Sequence, residues 1–148
     1  MKYLISACLI GDNCKYDGGN NLNGIAKKLY DSKLAISICP EELGGLSTPR
    51  VPAEIVNQRV ISKQGIDVTK EFNLGANFAL KTALDNNVKI AILQSRSPSC
   101  GSKSIYNGTF SGVLIPGEGI TTKLLRENGI EVITIEDYIR DYYEKDFK

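Results

Sequence analysis

Four short apolar runs constrain this chain more than any other feature. They read "YLISACL" at 3–9, "LAISI" at 34–38, "VKIAILQ" at 88–94 and "IEVITI" at 130–135. Each is too short for an ordinary helix, and the runs are nearly continuous in hydrophobicity, as in strands buried on both faces of a sheet. Helical patterns separate them. Asn23 stands where an N-cap would begin a helix over 24–31, with Ile25, Ala26 and Leu29 on one face. A longer helix is expected over 69–86, with Phe72, Ala76, Ala79, Leu80, Ala83 and Leu84 in one stripe and Thr69 or Asp67 near its cap. Two more are expected at 120–128, ending at Gly129, and at 136–144. Strands alternating with helices predict an α/β fold: a single-domain three-layer sandwich over 1–148, with a mainly parallel sheet and helices on both faces.

The remaining segments are turn-rich. A stiff loop follows "LAISI" and carries Pro40, Pro49 and Pro52. Residues 54–68 read as a hairpin around "KQG", and 105–115 as extended chain around Gly108 and Gly112. The net charge of +1 gives no support for a nucleic-acid polymer as partner. No apolar run approaches the roughly 18 residues that span a bilayer, and the N-terminus reads as a first strand rather than a signal peptide. The expectation is a cytoplasmic protein with a small-molecule partner and no membrane association.

The sequence has no histidine, so Ser-His-Asp and Cys-His arrangements are excluded, and a proton must move through Glu, Asp, Lys, Tyr or water. It has four cysteines: Cys8, Cys14, Cys39 and Cys100. Cys8 lies at the end of the first apolar run and Cys39 directly after the second. Cys100 sits in "SRSPSCGS", which leaves the third. Ligands of open parallel sheets bind beyond the C-terminal strand ends, so three widely separated thiols are expected to meet at one edge. Structural zinc commonly uses four Cys or His ligands in close pairs, and no such pair exists here. Iron–sulfur clusters suit thiolates that are far apart in sequence. Buried cysteines acting as small hydrophobes are the alternative at this point.

Two nucleotide motifs fail. "CGSKS" has Ser102 where a phosphate-binding loop needs lysine after glycine. "PGEGITTK" has Thr122 in place of the third glycine of a dinucleotide fingerprint, which leaves anion binding by the following helix N-terminus as a milder option. Arg50 and Arg96 are read either as anchors for a substrate anion or as pins for the loops, pairing with Glu41, Glu42 or Asp17.

The blocks "SACLIGDNCKYDGG" at 6–19, "CPEELGGLSTPRVPAEI" at 39–55, "DVTKEF" at 67–72, "ILQSRSPSCGSKSIYNGTFSGVL" at 92–114 and "PGEGITTKLLRENGIEV" at 116–132 resemble the TudS-like thiouracil desulfidase family, in order and over nearly the whole chain. The resemblance implies a [4Fe-4S] cluster, prone to loss in air, held by Cys8, Cys39 and Cys100, with one iron free for the substrate's sulfur. It implies a desulfidase that replaces the thiocarbonyl sulfur of a thiolated pyrimidine, such as 2-thiouracil, or a related small molecule with oxygen and releases sulfide. Glu41 matches the family's acidic residue and is expected to activate water, with Glu42 as second choice. Ser97 is expected to orient substrate or relay a proton. Cys14 departs from the family pattern, where valine is frequent. It is either a fourth ligand or a spare thiol, and the spare is preferred here because catalysis needs an open site. The alternative to the enzyme is a non-catalytic iron–sulfur or thiol redox-sensing protein.

Overall fold

The structure is a computed structural model and describes residues 2–148. Strand β1 (Tyr3–Ser6) is buried along its whole length, and Ala7–Ile10 then form a 3₁₀ turn closed by Gly11, whose φ of 99° needs a residue without a Cβ. The strand therefore stops earlier than the apolar run predicts, and Cys8 stands on the turn beyond it. Helix α1 (Gly24–Asp31) begins where expected: the Asn23 side chain accepts hydrogen bonds from the Ile25 and Ala26 amides. Strand β2 (Ala35–Ile38) leads directly to a short helix, α2 (Pro40–Leu43), with Cys39 at its N-cap. This helix lies inside the segment expected to be an irregular loop. Pro40 occupies its first turn, where the missing amide hydrogen costs nothing.

Strands β3 (Ala53–Val56) and β4 (Arg59–Ser62) form an antiparallel hairpin. Its turn falls at Asn57 and Gln58, both with positive φ, while the expected "KQG" turn follows β4, where the Gly65 amide donates to the Ser62 carbonyl at 2.8 Å and Ile61 bridges Asp67 antiparallel. Helix α3 (Thr69–Asp85) follows, with Asp67 accepting from the Thr69 amide, and then β5 (Ile90–Ile92). A second hairpin pairs β6 (Ser104–Tyr106) with β7 (Leu114–Pro116). Helix α4 (Ile120–Glu127), strand β8 (Glu131–Ile133), helix α5 (Ile135–Asp141) and helix α6 (Tyr143–Phe147) complete the chain. The single last helix expected from the sequence is thus two helices, the first opened by a capping box between Thr134 and Asp137.

The central sheet has the order β2-β1-β5-β8, and all its pairings are parallel. Alternate residues of β1 face opposite sides. Tyr3 and Ile5 pack with Ala26 and Leu29 of α1 and Tyr138 of α5. Leu4 packs with Ala79 and Ala83 of α3 and Leu125 of α4. Two cores separated by one sheet make the predicted three-layer sandwich, which lets four loops gather at the C-terminal strand ends. Among the described residues, no helix is long and apolar enough to cross a membrane.

Candidate functional site

The loops that leave β1, β2 and β5 carry the thiols, and close backbone contacts fix two of these loops. Helix α2 lies on α3 where both have glycine. A Cβ on Gly75 would come within 1.9 Å of the Pro40 carbonyl oxygen, and one on Gly44 within 1.9 Å of that of Glu71. The absence of side chains at this crossing lets Cys39, Glu41 and Glu42 sit directly over the sheet edge. The loop after β5 is seated on the start of α4. The Ile120 and Thr121 amides donate to the Pro98 and Ser99 carbonyls, both at 2.8 Å, and the Thr122 hydroxyl donates to the Cys100 carbonyl at 2.8 Å. A Cβ on Gly119 would strike Ser99 at 2.4 Å. These amides are spent on the cysteine loop, so the α4 N-terminus is not the anion site that its motif suggested.

All four cysteines are free, and all line one cavity of about 670 Å³. Cys8, Cys14 and Cys100 are buried and Cys39 is half-buried. Asn21 donates through Nδ2 to Cys8 Sγ at 3.7 Å, and the Cys39 thiol faces the Cys14 carbonyl at 3.8 Å. The Cys14 thiol lines the same cavity as those of Cys8 and Cys39 and interacts with both. The donor atoms of Cys14, Cys39 and Glu42 lie within 4.8 Å of one another. Cys14 is thus inside the thiol group, close to two of the three expected ligands. Cys100 lines the same cavity from the loop after β5.

The electrostatics divide the four thiols. Cys8 is held below the ordinary thiol value because Cys14 donates to its sulfur, with Asn21 adding to the effect against the cost of burial. Cys14 is drawn down by its contact with Cys39, but the bond it gives to Cys8 and its burial outweigh this and push it up to about 12. The bond from Cys39 to Cys14, together with burial, pushes Cys39 up. Burial, and then the nearby charge of Glu41, push Cys100 up to about 12. Four thiols without a histidine around one cavity form a soft, all-sulfur donor set. That set fits an iron–sulfur cluster, whose positive irons would offset the repulsion between thiolates.

Glu41 also lines the cavity and is clamped. Arg50 donates to its Oε2 from Nε at 2.9 Å and Nη2 at 2.8 Å, and the pair is largely withdrawn from solvent. The same guanidinium donates to the Cys14 carbonyl at 2.9 Å. Arg50 therefore pins loops, the second of its two expected roles. Ser97 accepts from the Ser99 and Cys100 amides at 3.0 and 3.1 Å, and its hydroxyl donates to Glu41 Oε1 at 3.3 Å. One serine thus links the Cys100 loop to the carboxylate. Glu42 accepts from the Thr48 hydroxyl on the exposed side of α2. Arg96 is exposed on the cavity rim. Phe72, Tyr106 and Phe110 give the outer cavity apolar and aromatic walls. Asn21 is the contributor that sequence reasoning missed; its place in "GGNNLN" marks it only as a turn residue.

An α/β sandwich with a pocket of thiols at its parallel-strand ends, and a carboxylate fixed beside them, defines a class of small metal-cluster domains. The chain belongs to the 2-thiouracil desulfurase family, whose model matches residues 3–137. It is 43% identical to the uncharacterized protein YbbK of Bacillus subtilis (strain 168), over 88% of this chain and 93% of that one. It is also similar to the solved structure of a [4Fe-4S]-dependent thiouracil desulfidase, TudS. That similarity has a TM-score of 0.91 and 43% identity, and covers 97% of this chain and 96% of the other.

Proposed function

We propose that this protein is a [4Fe-4S]-dependent desulfidase that converts a thiocarbonyl of a small heterocycle of the 2-thiouracil type to a carbonyl, with release of sulfide. The observation that carries this reading is the meeting of Cys8, Cys39 and Cys100 with the clamped Glu41 around one cavity. These three cysteines would hold the cluster. When bound, it supplies a soft Lewis acid with affinity for thiocarbonyl sulfur. The chain's own groups do the rest. Arg50 fixes Glu41 through Oε2, leaving Oε1 to take a proton from the water that adds to the thiocarbonyl carbon. The Ser97 hydroxyl lies on Oε1 and carries that proton toward the departing sulfur. One water enters and one hydrogen sulfide leaves, with no net electron transfer. Phe72, Tyr106 and Phe110 line the cavity and offer apolar surface to the ring of the substrate.

Membership of the family and the likeness to a desulfidase leave the non-catalytic redox-sensing alternative without support. Four free thiols favour a reducing compartment and with it the cytoplasmic placement. The test is sulfide release from 2-thiouracil by anaerobically reconstituted protein. Glu41→Gln should lower kcat by about 10²-fold or more while keeping its iron. A Glu41→Gln protein with unchanged turnover would remove the carboxylate from the mechanism.

A further inference from the structure

Cys14 was expected to be a bystander, and its surroundings do not suit one. Its side chain is buried on the cavity side, with its sulfur within 4.8 Å of the Cys39 sulfur and on the same cavity wall as Cys8, so it shares the space that the cluster would use. Its backbone is preset from two directions: the amide donates to the Asp12 carbonyl at 2.9 Å, and the carbonyl accepts from Arg50. The arginine that clamps Glu41 therefore also holds Cys14 in register. The four cysteines differ in their supports. Cys8 is on a 3₁₀ turn, Cys39 caps a helix, and Cys100 is locked onto α4. Cys14 lies, like Cys100, in a turn outside any helix or strand; its backbone is held by Arg50, and a side-chain rotation moves the sulfur without breaking an element. Four thiolates are the full complement of a four-iron cluster, and a sulfur at that distance competes for any iron left open.

We propose that Cys14 is an exchangeable fourth ligand: its thiolate closes the remaining iron when the cavity is empty, and it leaves as a thiol when substrate sulfur takes that place. This rests on the cluster reading above. The exchange is a ligand substitution: Cys14 loses its proton on binding and regains it on release, and no electron is transferred. A closed resting site reconciles a fourth thiol with catalysis, because substrate itself opens the iron. It also shields that iron from small oxidants and from product sulfide.

The experiment compares wild type, Cys14→Ala and Cys14→Val, each reconstituted anaerobically. Iron and sulfide content come first: a wild-type protein without a cluster defeats the functional reading, whatever Cys14 does. With clusters present in all three, ferricyanide-driven loss of one iron is followed by the electron paramagnetic resonance signal of the three-iron product. Mössbauer spectra report whether one iron differs from the other three. The inference expects several-fold faster iron loss in both variants, a distinct iron that appears only when Cys14 is removed, and a lower KM for 2-thiouracil in the variants. A distinct iron already present in substrate-free wild type, or equal rates of iron loss, overturns it and leaves Cys14 as a spare thiol. The valine variant keeps the volume filled, so a difference shared by both variants is not a packing effect.

Discussion

The two ends of strand β1 solve opposite problems. At its start, the Asp146 side chain, only 3% exposed, accepts from Lys2, from the Tyr3 hydroxyl at 2.6 Å and from the Tyr138 hydroxyl at 2.9 Å. Burial would raise this carboxyl, but its three donors outweigh that and hold it below the usual range. Every polar group there has its partner, and the network ties the C-terminal helix α6 to the sheet. A few residues further along, Cys8 begins a group of thiols that satisfy one another only weakly and open onto a cavity. A saturated network specifies structure. An unsaturated set of soft donors waits for a soft acid.

Substitutions should separate the two ends. Cys39→Ala is expected to have the largest effect: loss of the cluster and of all sulfide release, with a nearly unchanged unfolding midpoint in the cluster-free state. An iron assay beside a thermal melt checks both halves. Asp146→Asn should do the reverse. It replaces one acceptor of the buried network by an amide donor facing two tyrosine hydroxyls, at a cost of about 2–3 kcal/mol of stability, with iron content and kcat retained. If Asp146→Asn also empties the cluster site, the ends are coupled and the comparison fails.

The smallest expected effect is in alkali. Cys14, Cys39 and Cys100 have raised values in the folded cluster-free protein, so the unfolded chain gives up those protons first. Their stabilisation is complete below the ordinary thiol value of 9.0 and is lost as pH rises toward 12. Tyr3 and Tyr138, raised by burial and by their bonds to Asp146, act the same way from their ordinary value of 10.0 upward. Cluster-loaded protein, with its thiols already deprotonated on iron, should keep only the tyrosine component. Its stability should therefore begin to fall about one pH unit later than that of the cluster-free form. Denaturant melts across that range read the offset.

Hydrophobic patterning carried most of the architecture. "YLISACL" and "LAISI" mark buried strands because both faces of a parallel sheet are covered, and Asn23 opens α1 through an ordinary side-chain cap. The misses came from tertiary contacts. β1 stops at Ser6 because the chain turns into a 3₁₀ turn, although the apolar run continues. The hairpin turns at Asn57 and Gln58 because both adopt left-handed backbone, which glutamine seldom advertises. Helix α2 hid among prolines because its seat depends on Gly44 and Gly75 meeting a backbone far away in sequence. The site shows the same division. Strand-end positions made Cys8, Cys39 and Cys100 candidates, but the place of Cys14 depends on how one irregular turn folds back, and no local pattern encodes that.

The most direct test of the account is the iron and sulfide content of wild-type protein after anaerobic reconstitution, read beside its visible absorbance. The account predicts roughly four irons and four sulfides per folded chain, with 2-thiouracil then releasing sulfide. A well-folded chain that takes up no iron under those conditions would contradict it.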